Sequence, residues 1–209
     1  MLGKVAFGLL AVILTPSTLA QMAPRETLTA QIGGAKVSVE YGRPSLKGRN
    51  FEELFSQLPA DRMWRAGSEQ ITTLTTTAPL IMGGVMVPPG KYSLNVHCPE
   101  NGAYSLAVNK ALGQPLKLLW SQAPANLADE PWPHMNYQEI KGSEVARIPL
   151  SEAKSSDSVD LFTITVVEGS AGGTLSLAWG DQVWSASIKP ARAEGSLPSF
   201  GISRVWLMW

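Results

Sequence analysis

Residues 91–108 read KYSLNVHCPENGAYSLAV, and this stretch decides the fold. Tyr92, Leu94, Val96 and Cys98 alternate with Lys91, Ser93, Asn95 and His97, the period of two that a half-buried strand requires. Asn101-Gly102 is a hairpin pair, and the returning strand carries Tyr104, Leu106 and Val108 on one face. Working towards the N-terminus, Pro89-Gly90 predicts a type II turn, with proline presetting φ and glycine accepting a positive one. Gly83-Gly84 predicts a second hairpin between residues 80–82 and 85–87. Residues 71–77 are rich in threonine, and residues 36–41 alternate Val37, Val39 and Tyr41 with Lys36, Ser38 and Glu40. Towards the C-terminus, strands are predicted at 145–150, 159–167, 174–179 and 183–188, with Gly180-Asp181 turning between the last two. The reading is an all-β antiparallel β-sandwich with at most a short helix, at 52–57. Residues 111–135 hold Pro115, Pro124, Pro131 and Pro133 and are expected to form a long ordered loop across one end of the sandwich.

The first twenty residues read as the signal peptide of an exported protein. Lys4 precedes an apolar run at 5–14, and Thr18-Leu19-Ala20 suits cleavage after Ala20. That run is shorter than the roughly 20 residues needed to span a bilayer, so no stable membrane insertion is expected after cleavage. The expected location is periplasmic or secreted. Residues 21–30 are then a leader of the mature chain, 31–188 a single domain, and 189–209 a poorly ordered tail ending in the apolar run 205–209. One cysteine, Cys98, allows no internal disulfide, and its place on the Tyr92 face predicts a buried, inert thiol. Lys plus Arg number 17 and Asp plus Glu number 17, so no global field favours nucleic acid as a partner.

The candidate chemistry lies between residues 41 and 72. YGRPSLKGR (41–49) places Arg43, Lys47 and Arg49 in one bent loop, and MWRAGSEQIT (63–72) adds Trp64 and Arg65. Guanidinium groups suit carboxylates and phosphates, and an indole suits an apolar or sugar face. The same cations could instead pair with Glu52, Glu53, Asp61 or Glu69 and brace the loop. His97 and His134 lack ligand-like spacing, so no metal is expected, and no cofactor is implied. Glu52/Glu53 and Asp129/Glu130 are the adjacent acids that could converge as catalytic carboxylates. No G-x-S-x-G, H-E-x-x-H or phosphate-cradling glycine loop is present.

These residues resemble an uncharacterised exported bacterial family, the domain of unknown function 2911. The resemblance is carried by YGRPSLKGR (41–49), WRAG (64–67), Thr72-Thr73-Leu74 and GGVMVPPGKYSL (83–94), and more weakly by 145–148 and 175–179. It implies an exported β-rich domain with no agreed activity. The family follows Trp-Arg-x-Gly with a small residue and then Asn-Glu; here Ser68-Glu69-Gln70 follows, so Gln70 stands where the family has a glutamate. An amide cannot take up a proton as a carboxylate does, which counts against an enzyme. The leading expectation is therefore a non-enzymatic binding module for a small anionic or carbohydrate ligand, using Arg43, Lys47, Arg49, Trp64, Arg65, Glu69 and Gln70. An envelope hydrolase with Glu69 as acid or base is the alternative. A third reading is a structural or assembly protein that docks through a strand edge or its tail, as a homo-oligomer or on an envelope protein.

Overall fold

The computed structural model describes residues 22–191. The expected signal peptide and the apolar tail at 205–209 lie outside the described residues. In chain order the elements are β1 (Arg25–Ile32), β2 (Ala35–Gly42), α1 (Phe51–Phe55), β3 (Met63–Trp64), β4 (Thr73–Thr76), β5 (Leu80–Met82) and β6 (Val85–Val87). There follow β7 (Gly90–His97), β8 (Ser105–Asn109), β9 (Gln114–Pro115), α2 (Leu116–Leu119), β10 (Pro131–Trp132), β11 (Glu144–Pro149), β12 (Ser151–Gly169) and β13 (Gly172–Pro190).

Two main antiparallel sheets form the expected all-β architecture, with β9 and β10 a separate two-stranded pair. The larger runs β1-β2-β4-β7-β8-β11, with β3 also paired to β7; the smaller runs β12-β13-β5-β6. Their facing side chains make one core, with Val39, Tyr41, Leu74, Leu94, Val96, Leu106 and Ile148 from the larger sheet. Leu80, Met82, Phe162, Ile164, Leu177, Trp184 and Ile188 come from the smaller. The predicted alternation on β7 holds: Tyr92, Leu94 and Val96 are core residues, while Ser93, Asn95 and His97 face the other way. At one end the core is aromatic. Phe51 of α1 meets Trp179 and Trp184 edge-on at 5.6 and 5.7 Å, and Trp64 meets Phe162 edge-on at 4.8 Å.

Several local readings change. Residues 25–30 are no leader: β1 pairs with β2 from Arg25↔Gly42 to Ile32↔Ala35, turning at Gly33-Gly34 with φ of +54° and +88°. Gly90 has φ +155°, more extended than the roughly +80° of a type II turn. It opens β7 instead, where a Cβ would lie 2.9 Å from the Tyr92 hydroxyl that donates to the Pro88 carbonyl. Asn101-Gly102 is no two-residue hairpin, because β7 and β8 pair last at His97↔Ser105 and leave a connection of 98–104. Gly180-Asp181 is no turn either. It lies within the unbroken β13, opposite a slip in register on β12 between Lys154 and Thr163. Gly180 has φ +61°, and a Cβ there would lie 2.7 Å from the Phe51 ring, so packing of α1 sets this glycine. The proline-rich 111–135 segment contains β9, α2 and β10 and lies over the outer face of the larger sheet, where Pro133 and His134 approach Ser93 and Asn95.

The loop that follows β2 closes the outer edge of β12. Leu46 N–H donates to the Asp160 carbonyl at 3.0 Å, and the Pro44 carbonyl accepts from Phe162 N–H at 2.9 Å. Arg43 Nε donates to the Phe162 carbonyl at 3.1 Å. The Tyr41 hydroxyl accepts from Ile164 N–H at 2.9 Å and reaches the Ile164 carbonyl at 3.2 Å. Backbone and side chains of 41–46 therefore pair the strand edge that β13 leaves open. Replacing Tyr41 with Phe keeps the ring but leaves two buried backbone groups of Ile164 unpaired. It should lower stability by about 1–3 kcal/mol, read as a lower urea midpoint with an unchanged slope.

Candidate functional site

The site grows from an interruption in one strand line. β3 and β4 pair with the same flank of β7, at Trp64↔Val96 and Thr73↔Ser93. The chain spends residues 65–72 bridging a gap that β7 crosses from Val96 to Ser93, so these residues are thrown out as an excursion. Ala66 and Glu69 take positive φ, +50° and +60°, to turn it. Thr72 Oγ1 donates to the Ala66 carbonyl at 2.8 Å and closes its base. Two glycines let the excursion press on the end of β2. A Cβ on Gly42 would lie 2.4 Å from the Ser68 carbonyl oxygen, and one on Gly67 would lie 2.7 Å from Thr72 Oγ1 and 3.0 Å from the Gly42 carbonyl oxygen.

Beside this excursion lies a cleft of about 440 Å³ that follows the edge of β3. Leu54, Leu58, Met63, Trp64, Met135 and Trp179 supply apolar walls. Arg49, Arg65, Ser68, Asn95 and His134 supply polar ones. Trp64 stacks on Trp179 at 5.3 Å with 9° between planes, so the indole pair is a fixed wall. Asp61 is the acid in the cleft wall, and both its oxygens already accept, from Met63 N–H at 3.2 Å and Gln138 Nε2 at 3.4 Å. Arg65 is open to water within the cleft but ringed by protein. That crowding lowers its pKa, and the Glu69 carboxylate acts in the opposite sense. Among the described residues its guanidinium makes no ion pair or hydrogen bond. Ser68 Oγ, also in the wall, is buried without a partner.

The far wall is pinned by a polar network. Arg147 donates through Nε to Glu144 Oε1 at 2.7 Å and through a second nitrogen to Oε2, while the Tyr137 hydroxyl donates to Oε2 at 2.6 Å. Asn109 Nδ2 donates to the Ile140 carbonyl at 2.8 Å. Tyr137 and Ile140 thereby pack on Ala107 and Met63 and hold 133–140 against the sheet. Burial would raise the Glu144 pKa, but the hydrogen bonds from Arg147 and Tyr137 outweigh it and hold the carboxyl below its ordinary value. The same burial, with the bond to Glu144, pushes Tyr137 up to about 12.

Residues 23–188 match the family described as a protein of unknown function, DUF2911. The chain belongs to the DUF2911 family. No curated protein and no solved structure matches it. Two of the stretches that carry the resemblance, 41–49 and 64–67, are surfaces that interlock at Gly42 and Gly67.

Of the residues singled out in this DUF2911 chain, Arg49, Trp64 and Arg65 come together in the cleft. Arg43 lies outside it, paired with Glu26 at 2.9 Å and bonded to Thr163 Oγ1 at 2.7 Å. Lys47 is exposed in the loop, held by its backbone N–H to Ser45 Oγ and Asp160. Arg49 spends Nε and one further nitrogen on the Leu46 and Ser45 carbonyls. Glu69 accepts from Ala23 N–H at 2.8 Å and does not line the cleft, though its carboxylate acts on Arg65. Gln70 Nε2 reaches Glu130 Oε2 at 3.4 Å, a donation that a glutamate could not make. The sequence reading missed Ser68, Ser93, Asn95 and His134 as site residues. Ser93 and Asn95 stood on the non-core face of β7, but nothing marked what would cover them. Cys98 is buried, which pushes its thiol up to about 12. Among the described residues no group of three His, Cys, Asp or Glu side chains could hold a metal ion, and no helix is long and apolar enough to cross a membrane.

Adding a methyl at the glycine interlock with Gly42→Ala should cost about 1–3 kcal/mol as overpacking, measured by chemical unfolding. The Glu144 carboxyl, with its pKa depressed in the fold, contributes stability above its unfolded pKa that is lost as pH falls through its folded one. Melting temperature should therefore drop more steeply below about pH 4 in the native chain than in Glu144→Gln, and parallel curves would remove this role.

Proposed function

We propose that this protein is an exported, non-enzymatic module that binds a small anionic ligand in the cleft beside β3. The observation that carries the reading is Arg65: a permanent cation, open to the cleft, with no protein anion paired to it among the described residues. A guanidinium so placed, against walls of Leu54, Met63 and the Trp64–Trp179 pair, favours an anion with an apolar body over a neutral sugar. Export rests on the leader-like residues 1–20, which would direct the chain to the periplasm or the medium. The non-enzymatic part rests on the cleft's chemistry. Its acid, Asp61, is already hydrogen-bonded at both oxygens, and Glu69, outside the cleft lining, accepts from Ala23 N–H.

The test is a thermal-shift screen of the purified chain against organic anions, inorganic phosphate and envelope sugars. A ligand at 100 times its Kd should add about 2.7 kcal/mol of stability. The shift should vanish in Arg65→Gln and survive in Lys47→Ala, since Lys47 lies outside the cleft. A shift that Arg65→Gln leaves intact would overturn the assignment.

A further inference from the structure

The cleft adjoins a smaller recess. It measures about 10 Å³, the room of one water-sized atom. Arg65, Asn95, Pro133 and His134 wall both spaces. Ser93 lines the recess, is 4% exposed, and has an Oγ without any hydrogen bond. Strand alternation puts it there: with Leu94 in the core, Ser93 and Asn95 lie on the outer face beneath the 133–134 segment. His134 Nδ1 is also buried and unsatisfied; its nearest acid oxygen, Glu139 Oε2, is 3.6 Å away, beyond hydrogen-bond range. Native folds pair nearly all such groups, so the buried, unpaired Ser93 Oγ on the recess points to a polar partner there.

We propose that the recess takes one oxygen of a ligand carboxylate while Arg65 holds the other. The ligand is thus a monocarboxylate whose aryl or aliphatic body lies along the cleft. This rests on the anion-binding reading above and narrows it. Ser93 O–H donates to the inner oxygen, and the Asn95 amide is a further donor within the shared wall. A phosphonate or phosphate would bring a further charged oxygen towards walls built largely of Met63, Trp64 and Trp179. A carboxylate carries no such excess.

Isothermal titration of the full chain with phenylacetate, 4-methylpentanoate, phenylacetamide, phenylphosphonate and inorganic phosphate tests this. The carboxylates should bind, with the amide and the phosphonate each about tenfold weaker or more, the ratio expected of a hydrogen bond to a charged group. Ser93→Ala should weaken carboxylate binding by about the same factor, with its fold checked by melting. Equal carboxylate affinity in the native chain and Ser93→Ala would leave the recess as a structural water site only and overturn the proposal. Tighter binding of phosphonate or phosphate would overturn the carboxylate class while sparing the anion-binding reading. No binding by any anion would overturn both. Should Ser93→Ala fail to fold, the ranking of the five probes on the native chain decides the matter alone.

Discussion

The contact between two backbones, at Gly42 and at Gly67-Ser68, is the constraint on which the rest of the molecule depends. It fixes where the 65–72 excursion leaves and rejoins the flank of β7, and hence where Arg65 points. Side chains could not hold this joint, because any Cβ at either glycine would strike an oxygen atom. The two surfaces come from distant turns of the chain, so the excursion is set by tertiary packing. Its own sequence, with Ala66 and Glu69 at positive φ, would not choose this path alone.

The cations of this region divide by what the backbone asks of them. Arg43 meets the Phe162 carbonyl at the edge of β12, and Arg49 meets the Ser45 carbonyl and adds to the Leu46 carbonyl, which its own backbone N–H also reaches. Arg65 is spared that work because Thr72 and the two glycines already close the excursion around it. Charge on a loop thus signals ligand binding only after its backbone acceptors are counted. Here that count separates a brace from a candidate site within one short region.

How much of this was legible beforehand follows from the range of the forces involved. Alternation on β7 and β2 and the Gly83-Gly84 hairpin are local, and they were readable. The Gly33-Gly34 hairpin was equally local, and Leu28, Ala30 and Ile32 alternate with Thr27, Thr29 and Gln31, so β1 was legible by the same period of two and went unread. Gly180 misled because a glycine chosen for the Phe51 ring looks, in sequence, like one chosen for a turn. Of the site, Arg49, Trp64 and Arg65 were found through their motif, whereas Ser93, Asn95 and His134 were not. Their meeting depends on the proline-rich segment folding over the outer face, and that is written in no period of the chain.

The closure of β12 by residues 41–46 has a bearing on self-association. Asp160-Leu-Phe-Thr-Ile164 is a short segment with branched and aromatic side chains at the border of a sheet, the kind that templates intermolecular strand stacking when its amides are free. In this molecule those amides are occupied from within the same chain, by a tyrosine hydroxyl, a proline carbonyl and an arginine. The motif beginning at Tyr41 is therefore a guard against fibril-like growth as well as a joint. Loosening it would first expose a sticky border in an otherwise native molecule, so that the damage would show as loss of colloidal stability before loss of fold.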